Sequence, residues 1–187
     1  MAIQIRRYTA KEFEEFINLP ENANKLFEFI GGEVIEMPAP SPRHAYIADE
    51  IYSAIRKHVK KHDLGFAFSD SVSYTLSGED VLIPDASFVS KERQATLPDQ
   101  FTIAPDIAVE VISPSNRPRE MLSKVERYLE HGARLVWVVY PDEQVVDVYR
   151  RAEDGSLNLR KIEADGRLTG GDVLPDFQLA LKDLFSI

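Results

Sequence analysis

Apolar residues recur at helical spacing in three parts of the chain. The three predicted helices cover residues 9–19, residues 42 to about 63, and residues 118–131. The first begins at a capping box formed by Thr9 and Glu12, and the second is opened by Ser41 and Pro42. Gly132 follows the third helix in the position that commonly ends one. We therefore expect three amphipathic helices, with strands between and after them.

The other parts of the chain show the alternating or continuous apolar pattern of β-strands. Gly31 and Gly32 separate two short runs and supply the positive φ angles of a two-residue hairpin turn. The predicted strands cover residues 26–30, 33–37, 66–69, 71–76, 81–89, 106–112, 135–140, 144–150 and 157–162. This order predicts class α/β or α+β, with a mixed sheet flanked by helices and an N-terminal helix and β-hairpin. We expect a single domain over residues 1–187.

Two of the predicted strands carry an acid within an apolar run. Alternate residues of a strand face opposite sides, which puts Glu110 on the same face as Ala108 and Ile112. Glu110 is the only acid in the middle of strand 106–112, and Asp85 follows Pro84 in the otherwise apolar strand 81–89. An ionised acid removed from water without a partner is costly. If the two strands are neighbours, Asp85 and Glu110 stand side by side, and a cation between them relieves their repulsion. Oxygen ligands of this kind favour Mg²⁺ or Mn²⁺ over zinc.

Lys124 lies at the edge of the apolar stripe of the third helix. Met121 precedes it by three residues and Tyr128 follows it by four, so its stem can pack beside the sheet while its ammonium reaches towards the carboxylates. The alternative is a boundary lysine that extends its ammonium to water, which is the commonest arrangement. For a partly exposed side chain, replacing Lys124 by Ala is expected to change stability by no more than about 1 kcal/mol.

The composition restricts the possible partners. The chain of 187 residues has 22 Lys and Arg against 31 Asp and Glu, a formal net charge of −9, which argues against a broad basic surface but allows a local basic cleft. Its longest apolar run, residues 135–140, is far shorter than the roughly 20 residues of a membrane span, so we expect no membrane partner. The chain lacks cysteine and a recognisable secretory signal, and a cytoplasmic location is expected.

The histidines offer weaker candidates. His58 and His62 form an i, i+4 pair, but the basic run 56–62 repels a cation, and we interpret it as a solvated helix end. Together with Arg117 and Arg119, this run is the best candidate for a local contact with nucleic-acid phosphates. His44 either packs at the start of the second helix or lines the site.

Two further residues are assigned little chemistry. Trp137 stands in the most apolar strand and is predicted to belong to the core rather than to a base-stacking surface. Ser113, in the segment Ser-Pro-Ser, has no nearby histidine and acid in a triad-like motif, which argues against serine hydrolase chemistry.

The combined motifs resemble the Uma-type family of putative restriction endonucleases, within the PD-(D/E)xK nuclease superfamily. The matching segments are Pro84-Asp85, residues 105–115, Lys124-x-x-x-Tyr128, Gly132 before residues 135–139, the hairpin of residues 27–34, and Pro42-x-His44. The resemblance covers roughly residues 8–184. It implies a restriction-endonuclease-like α/β core with a Mg²⁺-dependent phosphodiesterase site.

The resemblance also implies roles for individual residues. Asp85 matches the superfamily's metal-binding aspartate and Glu110 its second acid, whereas Ile112 stands where the usual lysine would be. The family resemblance suggests that Lys124 supplies this charge from the helix. Glu28 resembles an additional acid found near many superfamily sites, with a structural role at the sheet edge as the alternative.

Two functions follow as expectations. In the first, Asp85, Glu110 and the Val111 carbonyl hold Mg²⁺ or Mn²⁺, and Lys124 assists hydrolysis of a nucleic acid, most simply DNA. In the second, the chain keeps the nuclease fold as an inactive interaction or regulatory protein, which Ile112 and the acidic charge favour. We expect a homodimer, since cutting both strands with one site per chain is most simply done by a two-fold dimer. The apolar segment from residue 179 to 187 packs on its own core or caps a partner.

Overall fold

The computed structural model describes residues 7–113 and 118–186. The elements are α1 (Ala10–Ile17), β1 (Phe27–Ile30), β2 (Glu33–Glu36), α2 (Pro42–His62), β3 (Gly65–Ser69), β4 (Tyr74–Ser77), β5 (Asp80–Leu82), β6 (Ala86–Ser90), β7 (Ile107–Val111), α3 (Pro118–Glu130), β8 (Leu135–Tyr140), β9 (Val145–Arg151), β10 (Leu157–Ile162), β11 (Arg167–Gly170), β12 (Leu174–Ala180) and α4 (Leu181–Leu184). Both predicted helix starts hold: the Thr9 and Glu12 capping box is complete, and the Ser41 side chain caps α2.

A six-stranded mixed sheet forms the centre of the molecule. Its strand order is β10-β9-β8-β7-β6-β3, and only β7 and β8 run parallel. A parallel pair needs a crossover connection, which α3 provides between these two strands. The predicted mixed sheet with flanking helices is therefore observed. β7, which carries Glu110, pairs with β6, which begins directly after Asp85.

One face of this sheet packs against α2, β12 and α4. Trp137 is fully buried there and stacks on Phe177 at 5.8 Å between ring centroids, which confirms its assignment to the core. Leu181, Leu184 and Phe185 are buried in the same cluster. The C-terminal apolar segment thus covers its own core in the part that the structure describes. The pairing of β11 with β12, which the sequence pattern did not predict, brings this segment into place.

The opposite face packs against α3 and a second, four-stranded sheet of order β2-β1-β5-β4. The sequence predicts one strand over residues 81–89, but in the structure this strand is interrupted at residues 83–85, between β5 and β6. Pro84 explains the break, because proline lacks the N–H that a continuing ladder requires. The two halves enter different sheets, and Asp85 lies at the corner between them.

The hairpin of β1 and β2 is fixed to α3. Gly31 and Gly32 have φ angles of 57° and 84°, as the two-residue turn requires. Asp80 accepts a hydrogen bond from the Gly31 N–H at 3.0 Å and also pairs with Arg127 of α3. This partly buried pair holds the hairpin against the helix one turn after Lys124. Within residues 7–113 and 118–186, no helix is long and apolar enough to cross a membrane.

Candidate active site

Four ionisable side chains from different elements meet at the floor of one cavity. Glu28 comes from β1, Asp85 from the corner between β5 and β6, Glu110 from β7 and Lys124 from α3. The cavity has a volume of about 650 Å³. Each of the four residues exposes no more than 9% of its surface. The structure thus brings all four predicted site residues together.

Lys124 joins two of the acids. Its ammonium donates to Glu110 Oε2 at 2.7 Å and to Glu28 Oε1 at 2.9 Å. The sequence places Lys124 at the edge of the apolar stripe, but only 9% of the residue is exposed, so it is buried rather than directed to water. The expectation that its loss leaves stability nearly unchanged assumes partial exposure, and the burial of Lys124 makes a larger loss of stability the expected outcome.

Glu110 has a second donor that the sequence pattern did not assign to the site. The hydroxyl of Tyr128 is buried and donates to Glu110 Oε1 at 2.9 Å, while Lys124 occupies the other oxygen. The sequence places Tyr128 in the apolar stripe of α3 and in the motif Lys124-x-x-x-Tyr128, without a role at the site. The spacing of four residues from Lys124 puts both side chains on one helix face and is the signal that would have identified it.

Asp85 is held by the backbone of β7. Its N–H donates to the Val109 carbonyl at 2.9 Å, and its Oδ2 accepts from the Val111 N–H at 2.6 Å. Because Ala86 is paired with Val109 in the antiparallel ladder, Asp85 stands opposite Glu110. The side-by-side arrangement proposed for these acids is therefore present, although Asp85 lies beyond the end of β6.

His44 lines the site rather than only packing at the start of α2. Its Nε2 lies 3.3 Å from Asp85 Oδ2, and its side chain is 14% exposed. The hydrogen bond to Asp85 raises the pKa of His44 above its ordinary value, and partial burial opposes this effect. A positively charged His44 would compensate part of the negative charge of the acids.

The electrostatics of the floor follow from two acids that share one buried ammonium, with Asp85 as a third acid beside them. Burial raises the pKa of Glu110 to about 8; Lys124 opposes this shift, while Asp85 and Glu28 add to it. Burial alone lowers the pKa of Lys124, but the charges of Glu110 and Glu28 outweigh it and raise that pKa above its usual value. Burial also raises the pKa of Tyr128 well above its usual value, so its hydroxyl stays a donor. The remaining negative charge favours an additional cation.

The oxygen atoms at the floor are of the chemical type that binds Mg²⁺ or Mn²⁺. Asp85, Glu110 and the Val111 backbone line the same cavity, and hard divalent cations prefer such oxygen ligands. Among the residues that the structure describes, no group of three or more His, Asp or Glu side chains is arranged to hold a metal ion. Any metal would therefore rest on the two carboxylates, the backbone carbonyl and water.

The other candidate residues from the sequence do not belong to the cluster of acids around Lys124. His58 Nε2 lies 2.8 Å from the Pro175 carbonyl, and the ring of His62 packs against it at 4.6 Å, as for an ordinary helix end. Ile112 is half-buried and packs beside the core under α3. Ser113 lines the cavity, whereas Arg117 and the rest of the Ser-Pro-Ser segment lie outside the described residues.

Comparison with known proteins agrees with this architecture. The sequence profile of a family described as Uma2, putative restriction endonuclease, matches residues 13–182. A crystal structure of a putative nuclease belonging to DUF820 from Anabaena variabilis is similar, with a TM-score of 0.81 and 30% sequence identity over 95% of this chain and 97% of that one. No curated protein matches the chain. The predicted family and the nuclease fold are confirmed.

Proposed function

Because the chain belongs to the Uma2 family of putative restriction endonucleases, we propose that it is a Mg²⁺-dependent endonuclease that hydrolyses phosphodiester bonds of DNA. The observation that carries the proposal is the cluster of Glu28, Asp85 and Glu110 around Lys124 at the floor of a cavity. Buried acids that outnumber their cations are costly for stability, and such clusters occur where a protein binds or transforms a ligand.

Each residue of the cluster has a role in this proposal. Asp85, Glu110 and the Val111 carbonyl would hold Mg²⁺ or Mn²⁺, which when bound polarises the phosphate and lowers the pKa of a water nucleophile. Lys124 offers N–H donors to the phosphoryl oxygens, where negative charge develops during attack. Glu28 holds the Lys124 ammonium beside Glu110.

The neighbours of Glu110 and Asp85 limit their movement. Tyr128 fixes one oxygen of Glu110, and the Val111 N–H fixes Oδ2 of Asp85. When protonated, His44 neutralises part of the charge on Asp85, whose Oδ2 lies 3.3 Å from its Nε2. Such hydrogen bonds to carboxylate ligands orient them and tune their affinity for a metal.

A catalytically inactive protein with the nuclease fold is the second candidate. One observation favours it: Lys124 already bridges Glu110 and Glu28, while Ile112 leaves the usual lysine position without charge. In such a protein the ammonium would replace the metal as the counter-charge of the acids. The two candidates differ in whether the acids bind a divalent cation.

Mn²⁺ titration by calorimetry, followed by incubation with labelled DNA, tests the proposal. We expect the wild type to bind Mn²⁺ and to cleave, and Asp85→Asn to lose both. Asp147→Asn is the matched control, because Asp147 is 7% exposed but does not line the cavity. A wild type that neither binds Mn²⁺ nor cleaves would favour the inactive protein.

The homodimer stays a prediction. Since the described part of the C-terminal segment packs within its own chain, it does not leave an obvious apolar face for a partner. Sedimentation velocity at micromolar concentration is expected to show a dimer. A monomer at that concentration would contradict it.

A further inference from the structure

One wall of the active-site cavity is apolar and exposed. It is formed by five residues, which we call the apolar ledge: Leu26, Ile35, Met37, Pro38 and Pro40. Leu26 is 49% exposed and Ile35 is 39% exposed, although both are large aliphatic residues. Single exposed apolar residues are common, but a group of them along one wall of a cavity marks a binding surface.

The ledge and the acid floor belong to the same face of the β1–β2 hairpin. Glu28 is paired directly with Ile35, so their side chains point to one side of this ribbon. The Met37 N–H donates to the Leu26 carbonyl at 2.9 Å, which extends the same pairing by one step. The ledge therefore begins next to Glu28, and a molecule whose reacting group lies at the floor has this apolar surface directly beside it.

The charges around the cavity do not suit a duplex that is gripped along both of its backbones. Its lining includes five acids and two lysines, which are Glu28, Glu36, Asp70, Asp85, Glu110, Lys25 and Lys124. Both lysines are engaged with acids: Lys25 lies 3.0 Å from Glu36, and Lys124 binds the floor carboxylates. A protein that grips duplex DNA along its backbones uses rows of Lys and Arg, and the described lining residues form no such row.

We propose that the apolar ledge binds an unpaired nucleobase next to the scissile phosphate, so that the substrate is a single-stranded or locally unpaired nucleic acid. The inference rests on the proposed function. A phosphodiester at the floor is covalently joined to a nucleoside on each side, and an unpaired base beside it can therefore reach the ledge.

The chemistry and the size of the cavity agree with this occupant. Leu, Ile, Met and Pro are the side chains that proteins place against unstacked bases when they separate base steps. The volume of about 650 Å³ lies in the range of cavities that enclose a small ligand, and thus matches a nucleotide unit rather than a segment of duplex.

Three DNA probes of one sequence distinguish the forms of substrate: a single strand, a blunt duplex, and a duplex with a short unpaired tract. Mn²⁺-dependent cleavage and fluorescence anisotropy are measured for each. Because a blunt duplex must first unpair and unstack the base, we expect at least about tenfold weaker binding and slower cleavage for it than for the other two.

A double variant of the ledge tests which residues carry the preference. Leu26→Ser with Ile35→Ser removes two exposed side chains, and the fold is retained because neither is in the core. Leu159→Ser with Leu157→Ser on β10 is the matched control, since these residues are 50% and 39% exposed and do not line the cavity. We expect the ledge variant to bind the single strand about tenfold more weakly, the blunt duplex equally, and the control to match the wild type.

A 2-aminopurine base in the unpaired tract gives a readout independent of cleavage. Its emission should rise when the wild type separates it from its neighbours, and should not rise with the ledge variant. If the blunt duplex is bound and cleaved as well as the single strand, or the ledge variant behaves as the control does, the inference is wrong and the nuclease function stands. If none of the three probes is cleaved, the proposed function fails and the inference fails with it.

Discussion

Buried acids lie at both ends of β7, and their surroundings differ in the balance of charge. Asp106, directly before the strand, accepts the Ser90 N–H at 2.8 Å and lies 3.4 Å from Arg93 and 4.0 Å from Arg134. At this end, two guanidinium groups face one carboxylate. Near the other end, Glu110 shares the Lys124 ammonium with Glu28. Asp85 adds a third acid beside them and has His44 as its partner.

The difference separates a structural ion pair from a candidate reactive site. Where cations outnumber the acid, as at Asp106, the negative charge of the carboxylate is compensated by side chains of the same protein. The contacts of Asp106 with Ser90 and Arg93 hold the start of β7 against the segment that follows β6. Where acids outnumber the cation, as around Lys124, compensation is incomplete and an external cation can supply it. The same strand thus carries both kinds of buried charge.

The largest expected effect comes from Glu110→Gln. The amide keeps the shape and can still accept from Tyr128, but it removes one charge from the acidic cluster and one candidate metal ligand. Mn²⁺-dependent cleavage should fall by at least about a thousandfold. The free energy of unfolding at pH 8, measured with urea, should stay within about 1 kcal/mol of the wild type or rise. Cleavage at the wild-type rate would remove Glu110 from the mechanism.

Asp106→Asn is the counterpart at the other end of β7. Removing this charge leaves Arg93 facing a neutral group, whereas Arg134 keeps its pair with Asp172 at 2.9 Å. The free energy of unfolding should therefore decrease by about 2 kcal/mol, less than for a fully buried pair. Calorimetry on the folded variant should give an unchanged Mn²⁺ affinity. A loss of Mn²⁺ binding without loss of stability would reverse the roles assigned to the two ends.

Lys124→Ala is expected to lower the free energy of unfolding by about 2 kcal/mol at pH 8, more than a partly exposed lysine would. The loss should shrink at pH 5, because the acids left without a counter-charge bind protons in the folded state and stability then falls as the pH rises. Urea unfolding at both pH values measures this. The variant should also lose most of its Mn²⁺-dependent cleavage, because the N–H donors of Lys124 are removed. Adding Ile112→Lys should restore part of this cleavage, since that position shares the strand face of Glu110. Equal losses at both pH values would show that packing, not charge, explains the effect.

The smallest expected effect is the pH dependence of stabilisation by Mn²⁺. Burial raises the pKa of Glu110 from 4.5 to about 8. Between these two pH values the metal-free folded protein binds more protons than the unfolded chain, and its stability therefore decreases as the pH rises. A metal ion needs the ionised carboxylate. The rise in melting temperature at a fixed Mn²⁺ concentration should therefore be greater at pH 8 than at pH 5.5. Asp85→Asn should abolish the difference, and a greater rise at pH 5.5 would contradict the assignment.

Local patterns in the sequence were sufficient for most elements of the fold. The caps of α1 and α2, the Gly31-Gly32 turn and the alternation along β7 depend on residues a few positions apart, and the structure reproduces each of them. The face that carries Glu110 followed from this alternation alone. The convergence of Asp85, Glu110, Lys124 and Glu28 needed the family resemblance in addition.

Tertiary structure decided the features that depend on distant segments. The interruption at Pro84 places β5 and β6 in different sheets. β11 pairs with β12, and apolar side chains of both strands are buried in the core beneath them. The double engagement of Lys124 and the contact of His44 with Asp85 arise in the same way. Periodicity reports which face of an element is buried, but the partner across that face is set by the packing of the whole chain. For this reason, the sequence alone located the acids of the site, and only the folded structure showed which groups compensate their charge.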